Sequence, residues 1–206
     1  MRTSEGAFCL SGPARVEPGV IFHVEGTRFP IGELDGARSE RCAAISAALV
    51  RAGLKAPIRR RIRDDIWLKL LGNSALNPLS GLTGAMLHEI GADPAPRSAA
   101  KAMMEDCAAV ARRWLGGWTS SSKLSVDQRL DAALRIPDHK TSMLVDLESG
   151  REPELDPVVG AVIEIARLVS VDTPRLELAY ACVKLLDRTR RTPSARAPGP
   201  AATAAG

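Results

Sequence analysis

At 206 residues the chain is long enough for one large or two small domains with real cores. Apolar residues make up 45% of it and aromatics only 3%, a globular composition whose core must come from Ala, Leu, Val and Ile and which favours packed helices. The net charge of +4 has much of its excess between Lys184 and Arg196, without interleaved aromatics, which argues against a nucleic-acid surface. No run of about 18 apolar residues is present to span a membrane, and Met1-Arg2-Thr3-Ser4-Glu5-Gly6 lacks the apolar centre of a signal peptide.

The first sixty residues read as mixed α/β. Val20-Ile21-Phe22-His23-Val24 favours a strand, Gly26 is expected to turn the chain, and Thr27–Ile31 reads as the return strand, at an edge because of Pro30. Gly32 and Gly36 punctuate a loop. A helix is predicted from Ser39, as N-cap, to Ala52, with Gly53 just beyond its end. Leu54–Ile58 is a further strand candidate before the basic run Arg59-Arg60-Arg61.

From Asp64 the pattern is all-helical, with Asp64 and Asp65 favouring a helix start and Pro78 predicting a kink just after Asn77. A long helix is expected from Pro96 to Leu115, with Met103, Cys107, Val110 and Trp114 as its apolar stripe and Gly116-Gly117 as its end. Ser125-x-x-Gln128 is a capping box for a helix that stops before Pro137. A short helix from Ser142 to Glu148 is stopped by Gly150. Asp156-Pro157 and Thr173-Pro174 are expected to cap helices running to Val169 and Arg188. Thr192–Gly206, rich in Pro, Ala, Gly and Arg, reads as a disordered tail. Cys9, Cys42, Cys107 and Cys182 are widely separated, as are His23, His88 and His139. That spacing predicts buried free thiols in a reducing cytoplasm and no metal site.

Two stretches carry the candidate chemistry. In Trp67-Leu68-Lys69-Leu70-Leu71-Gly72-Asn73-Ser74-Ala75-Leu76-Asn77-Pro78, one lysine and two asparagines recur at steps of four, which on a helix stacks them on one face. Trp67, Leu70, Leu71, Leu76 and Leu79 cover the other faces. Lysine supplies a charge and a proton, and each amide offers donors and an acceptor, a set suited to a small oxygen-rich ligand. A solvated helix face has the same spacing. In the second stretch, Ser142 falls at a helix N-terminus, where a hydroxyl and free amides suit a carboxylate and where a plain N-cap is the simpler reading. Glu154 and Asp156 alternate across Leu155 in an extended lead-in. Asp156 reads as a cap, and Glu154, taken alone, as a solvated loop carboxylate.

Trp67-x-Lys69-x3-Asn73-x3-Asn77-Pro78-Leu79-Ser80, then Ser142-Met143-Leu144-x-Asp146, then Gly150-Arg151-x2-Glu154-x-Asp156 together resemble the ketopantoate reductase (2-dehydropantoate 2-reductase) family. Pro18-Gly19-Val20, Ile31-Gly32-Glu33 and Asp35-Gly36 resemble the end of that family's nucleotide-binding domain, so the likeness runs from about Ala7 to Leu186. The resemblance implies the helical C-terminal domain of a 6-phosphogluconate-dehydrogenase-like two-domain reductase, preceded here by an α+β remnant. Residues 1–63 would be the end of the Rossmann domain, 64–190 the helical substrate and dimerisation domain, and 191–206 the tail. It further implies NADPH as cofactor, a 2-keto acid as substrate, a place in pantothenate biosynthesis, and a homodimer as the expected assembly. Lys69 matches the lysine that protonates the developing alkoxide. Asn73 and Asn77 match the amides on the substrate's oxygens, and Ser142 the residue that holds its carboxylate. Glu154 matches the acid near lysine and cofactor.

Two departures bear on these expectations. His139 stands three residues before Ser142, where pantoate-specific members often carry asparagine, which leaves the keto acid open. No G-x-G-x-x-G follows a strand, so this chain is expected to lack most of a Rossmann domain, to bind NADPH weakly and to be inactive alone. The competing reading is a non-catalytic helical dimerisation or ligand-binding module derived from the same fold.

Overall fold

The computed structural model describes residues 5–7, 10–116 and 125–192. The disordered-tail expectation for Thr192–Gly206 falls almost wholly outside them, as does Cys9. The described residues gather into two compact units, one ending at Leu70 and the other beginning at Leu71.

The first unit is built on two small antiparallel sheets. β1 (Glu5–Ala7) pairs with β4 (Ile31–Glu33), placing Gly6 opposite Gly32. β2 (Leu10–Glu17) pairs with β3 (Val20–Arg28) as a hairpin. The chain turns at Pro18-Gly19, where Gly19 takes φ +82, and not at Gly26 as expected from composition. Gly26 also has a positive φ, +77, but lies inside β3, opposite a stretch of irregular register around Gly12. A glycine within a strand here marks a bulge and not a reversal. Thr27 and Arg28 therefore belong to the same strand as Val20, and Ile31 starts a separate one. Leu54–Ile58 does not form a full strand. It makes isolated parallel bridges, Lys55 to Arg28 and Ile58 to Ile31.

α1 (Glu40–Arg51) follows its sequence signals closely: the Ser39 hydroxyl accepts from the Cys42 N–H at 3.1 Å, and Gly53 beyond the C-cap has φ +84. Ser39 also ties the helix to β4, because its hydroxyl donates to the buried Glu33 carboxylate, which also takes the Arg41 guanidinium, with Nε at 2.8 Å. Arg41 first and Ser39 second hold the Glu33 carboxyl at about 2, below its ordinary 4.5. As the pH falls the unfolded chain takes up this proton first. The contribution of Glu33 to stability is thus complete above 4.5 and lost on descent toward 2. Glu33→Gln should flatten the acid limb of a denaturation-against-pH series over that window. An unchanged limb would mean that the cluster is not formed in solution.

α2 (Ile62–Thr83) leaves the first unit and enters the second, continuing through Pro78. It starts two residues before Asp64. Asp64 and Asp65 sit in its first turn as ion-pair partners of Arg61 (2.7 Å) and Arg59 (2.6 Å).

In the second unit α4 (Pro94–Trp114) is the central helix, with α3 (Leu87–Ala92), α5 (Val126–Leu134), α7 (Ala161–Leu168) and α8 (Pro174–Arg191) packed around it. α3 had no distinct signal in the sequence. α4 begins at Pro94, capped by Asp93, because that side chain accepts from the Ala95 N–H at 2.8 Å. Of its predicted stripe Met103, Cys107 and Val110 are buried, whereas Trp114 at the helix end is 42% exposed. The Ser125/Gln128 capping box forms as expected. α6 (Ser142–Glu148) is capped by Thr141, whose hydroxyl accepts from the Leu144 N–H at 3.2 Å, so Ser142 is the first helical residue and not the cap. Asp156 caps nothing. It opens a π-helical turn, Asp156–Gly160, in which the Ala161 N–H reaches back to the Asp156 carbonyl. α8 outruns its predicted end by three residues to Arg191, and its start is anchored by the buried Asp106, which accepts from the Arg175 backbone N–H (3.1 Å) and guanidinium (2.6 Å). Cys42 and Cys107 are buried free thiols as expected, but Cys182 is an exposed one.

Candidate active site

Lys69, Asn73 and Asn77 occupy successive turns of α2, and the helix grades from water to core along them: Lys69 is exposed, Asn73 half-buried, and Asn77 only 7% exposed. Trp67, Leu71 and Leu76 are buried and fix the helix by its other faces. The stripe is therefore not a solvated face along its length. Among the described residues, the Asn77 amide makes no hydrogen bond. Of the two buried hydroxyls three residues either side of it, Ser74 Oγ has no hydrogen-bond partner among the described residues and Ser80 is paired. Ser80 donates to the Ala85 carbonyl at 2.7 Å. Ser74 faces Cys107 of α4, whose thiol is pushed up to about 12 by burial, against the opposing effect of the Ser74 hydroxyl.

Beyond Asn77 the helix packs on α6. Gly81 is the contact point: a Cβ there would lie 3.0 Å from Leu147 Cδ1 and 3.3 Å from Met143 Cγ. A glycine one turn after Asn77 thus lets α6, through Met143 and Leu147, approach α2. Ser142 itself is exposed and makes no hydrogen bond among the described residues. Glu154 lies on the lead-in to the π-turn, exposed between the buried Pro153 and Leu155, and its carboxylate also has no partner among the described residues. His139, the departure noted in the sequence, is half-buried, and its carbonyl accepts from the Leu87 N–H at 3.2 Å. Its backbone therefore helps hold α3.

The structure thus unites Lys69, Asn73 and Asn77 on one helix and sets Ser142's helix against that helix's later turns. It gives Glu154 no bonded partner among the described residues. Sequence reading missed Thr141 as the α6 cap and Tyr180 and Lys184 as the partners of Asp156. Thr141 was detectable as a second capping residue beside Ser142, whereas the α8 pair had no local signal. A shallow depression elsewhere, lined by His88, Arg97, Asp131 and Arg135, shares no residue with α2. No group of three His, Cys, Asp or Glu side chains placed to hold a metal occurs among the described residues.

A small α+β segment is followed by an all-helical unit, and α2, which runs from one into the other, carries the lysine–asparagine–asparagine ladder. Residues 61–187 match the family model described as ketopantoate reductase PanE/ApbA C terminal, and the chain belongs to that family. A 2-dehydropantoate 2-reductase of Mesorhizobium japonicum is 46% identical over 169 residues, covering 82% of this chain and 51% of its own. The crystal structure of 2-dehydropantoate 2-reductase from Methylococcus capsulatus matches with a TM-score of 0.83 at 29% identity, over 93% of this chain and 65% of that one. D-mandelate dehydrogenase in complex with NADH matches with a TM-score of 0.79 over 90% of this chain and 62% of that one. At 18% identity this is a likeness of fold alone. The chain spans about half the length of the curated relatives it matches.

Proposed function

We propose that this chain supplies the substrate-binding and proton-donating side of a reductase that converts 2-dehydropantoate, or a related 2-keto acid, to the 2-hydroxy acid. On this reading residues 1–63 are the end of a nucleotide-binding domain and 64–190 the helical substrate domain of a cytoplasmic enzyme. The observation that carries the proposal is the ladder on α2, in which Asn77, only 7% exposed, lies one turn from Asn73 and two from Lys69. Amides spaced one turn apart and backed by core packing offer donors and acceptors to a hydroxyl or keto oxygen.

The cofactor the family resemblance implies is NADPH. A dinucleotide's pyrophosphate needs a glycine-rich turn leading from a strand into a helix N-terminus. The passage from β4 to α1 runs through Leu34-Asp35-Gly36-Ala37-Arg38-Ser39, with a single glycine. These residues do not fit the pyrophosphate, and no step is assigned through the cofactor. What this chain's own residues do is bind and protonate. The Lys69 ammonium faces the carbonyl oxygen as it becomes an alkoxide, offsets the charge and donates a proton from Nζ. Asn73 and Asn77 fix the keto and hydroxyl oxygens, Ser142 holds the carboxylate by its hydroxyl, and Glu154 orients the ammonium.

Asn77→Ala should weaken pantoate binding by about 1–3 kcal/mol, since it leaves a substrate oxygen unpaired in a buried site. Calorimetry with pantoate, on a form of the protein carrying a complete nucleotide-binding domain and NADP+, makes the measurement. Binding of another 2-hydroxy acid in place of pantoate would keep the reaction class and reject the named substrate. Undiminished affinity in the variant would remove Asn77 from the site.

A further inference from the structure

Asp156 is tied by both carboxylate oxygens to one face of α8. The Tyr180 hydroxyl donates to Oδ1 at 2.6 Å, and the Lys184 ammonium donates to Oδ2 at 2.8 Å. Tyr180 and Lys184 are one helical turn apart, so a single rigid helix presents both donors, and the ammonium also stands over the Tyr180 ring, 5.7 Å from its centre. The tie coincides with an irregular piece of backbone. Asp156 opens the π-turn, and Gly160, at the other end of the turn, gives the room the tyrosine needs: a Cβ on Gly160 would lie 3.3 Å from the Tyr180 ring. π-Turns cost helix regularity and recur beside functional groups. Two residues earlier stands Glu154, exposed and unpaired among the described residues, between Pro153 and Leu155, which are buried. The Leu155 N–H closes back on the Pro153 carbonyl at 2.7 Å. The acid is therefore framed on both sides, by buried side chains next to it and by the doubly held Asp156 just beyond.

We infer that Tyr180 and Lys184, acting through Asp156, are positioning residues that fix the π-turn and so hold the Glu154 carboxylate in a set direction. The inference rests on the proposed role of Glu154 for its functional meaning, but its test needs no turnover. An isolated exposed ion pair has little effect on stability. A pair and a phenol converging on one carboxylate at a backbone irregularity restrict that backbone instead, so the expected consequence is local order and not global stability.

The experiment uses the 206-residue chain. Tyr180 is the sole tyrosine, and its phenol is pushed above the ordinary tyrosine range by the hydrogen bond to Asp156, burial and the Asp156 charge. Tyrosinate absorbance should therefore appear at higher pH than for free tyrosine, and Asp156→Asn should bring it down. Amide exchange is then followed at Leu155 and Ala161, which bracket the π-turn that follows Glu154. In Tyr180→Phe and Lys184→Met exchange should rise about 5-fold, the equilibrium factor of one lost hydrogen bond. Lys184→Arg should restore it, and the thermal midpoint should not move. Parental exchange at both amides in Asp156→Asn, or equal acceleration throughout α4 and α8, would overturn the inference. Local loosening without any effect of Glu154→Gln on the complete enzyme would instead overturn the role given to Glu154, so the two failures are separable.

Discussion

Lys69→Ala is expected to lower turnover by about 10²–10⁴, the usual worth of a positioned general acid, with little change in cofactor affinity. The form to measure carries a complete nucleotide-binding domain. Lys69 lies at the exposed end of the α2 stripe, whereas Asn77 lies at its buried end. That gradient separates the two effects. On the proposed function Asn77 meets oxygens present in both ground and transition states, so its loss should appear mainly in binding. On the proposed function Lys69 meets a charge that exists only as the ketone is reduced, so its loss should lower kcat and kcat/KM together. Lys69→Arg sharpens the reading. A guanidinium keeps the positive charge but does not give up a proton near neutral pH, so it should recover only the electrostatic part. Steady-state kinetics with NADPH fluorescence titration decides the matter, and equal turnover in Lys69→Ala and parent would remove the assignment.

The elements legible in the sequence were those whose ends are chemically marked. α1 has Ser39 before it and Gly53 after it, and α5 has its Ser125/Gln128 box. In both, the capping bonds are formed by the side chains that announced them. The errors have a common cause in groups with a long-range use. Gly26 looked like a turn because glycine permits a positive φ, which it does adopt, but the pairing of β3 with β2 carries the strand through it. Asp156 looked like a helix cap because aspartate before proline is one elsewhere, but Tyr180 and Lys184, 24 and 28 residues on, take both its oxygens. Trp114 fitted the periodicity of α4 but lies at the helix end, past the packed neighbours that bury Val110.

The candidate site divides in the same way. The α2 stripe was readable because a helix converts a spacing of four into a shared face without help from the rest of the fold. The placement of Ser142 was not, since it depends on Met143 and Leu147 of α6 fitting over Gly81, a contact across some sixty residues that no local pattern encodes. Glu154 shows the limit most clearly. Its frame, Pro153 and Leu155 buried on either side, and its distal anchor on α8 are tertiary facts, and only the order of the motif residues pointed to the acid at all.

Gly32→Ala should be among the most destabilising single-methyl changes in the molecule. Gly32 is the middle residue of β4, where the Arg59 N–H donates to the carbonyl of neighbouring Ile31 at 2.8 Å and the chain from Pro57 to Arg59 runs alongside. A Cβ on Gly32 would lie 2.2 Å from the Arg59 carbonyl oxygen and 3.0 Å from Ile62 Cβ. The first of these is backbone, held in place by the Arg59 N–H bond to the Ile31 carbonyl, so a rotamer change does not relieve it. Either that segment or β1, whose Gly6 stands opposite Gly32, must move. Overpacking of this kind costs typically about 1–3 kcal/mol, and a clash against fixed backbone belongs at or above the top of that range. The expected result is a fall of about 3 kcal/mol in the stability of the first unit, followed by the fluorescence of its buried Trp67 in a urea titration. Gly72 provides the control. It lies inside α2, where a Cβ would meet nothing within 4 Å, so Gly72→Ala should stabilise by about 0.5–1 kcal/mol through helix propensity and a less flexible unfolded chain. Equal, small effects of the two substitutions would mean that the approach of Arg59 to β4 is not maintained in solution.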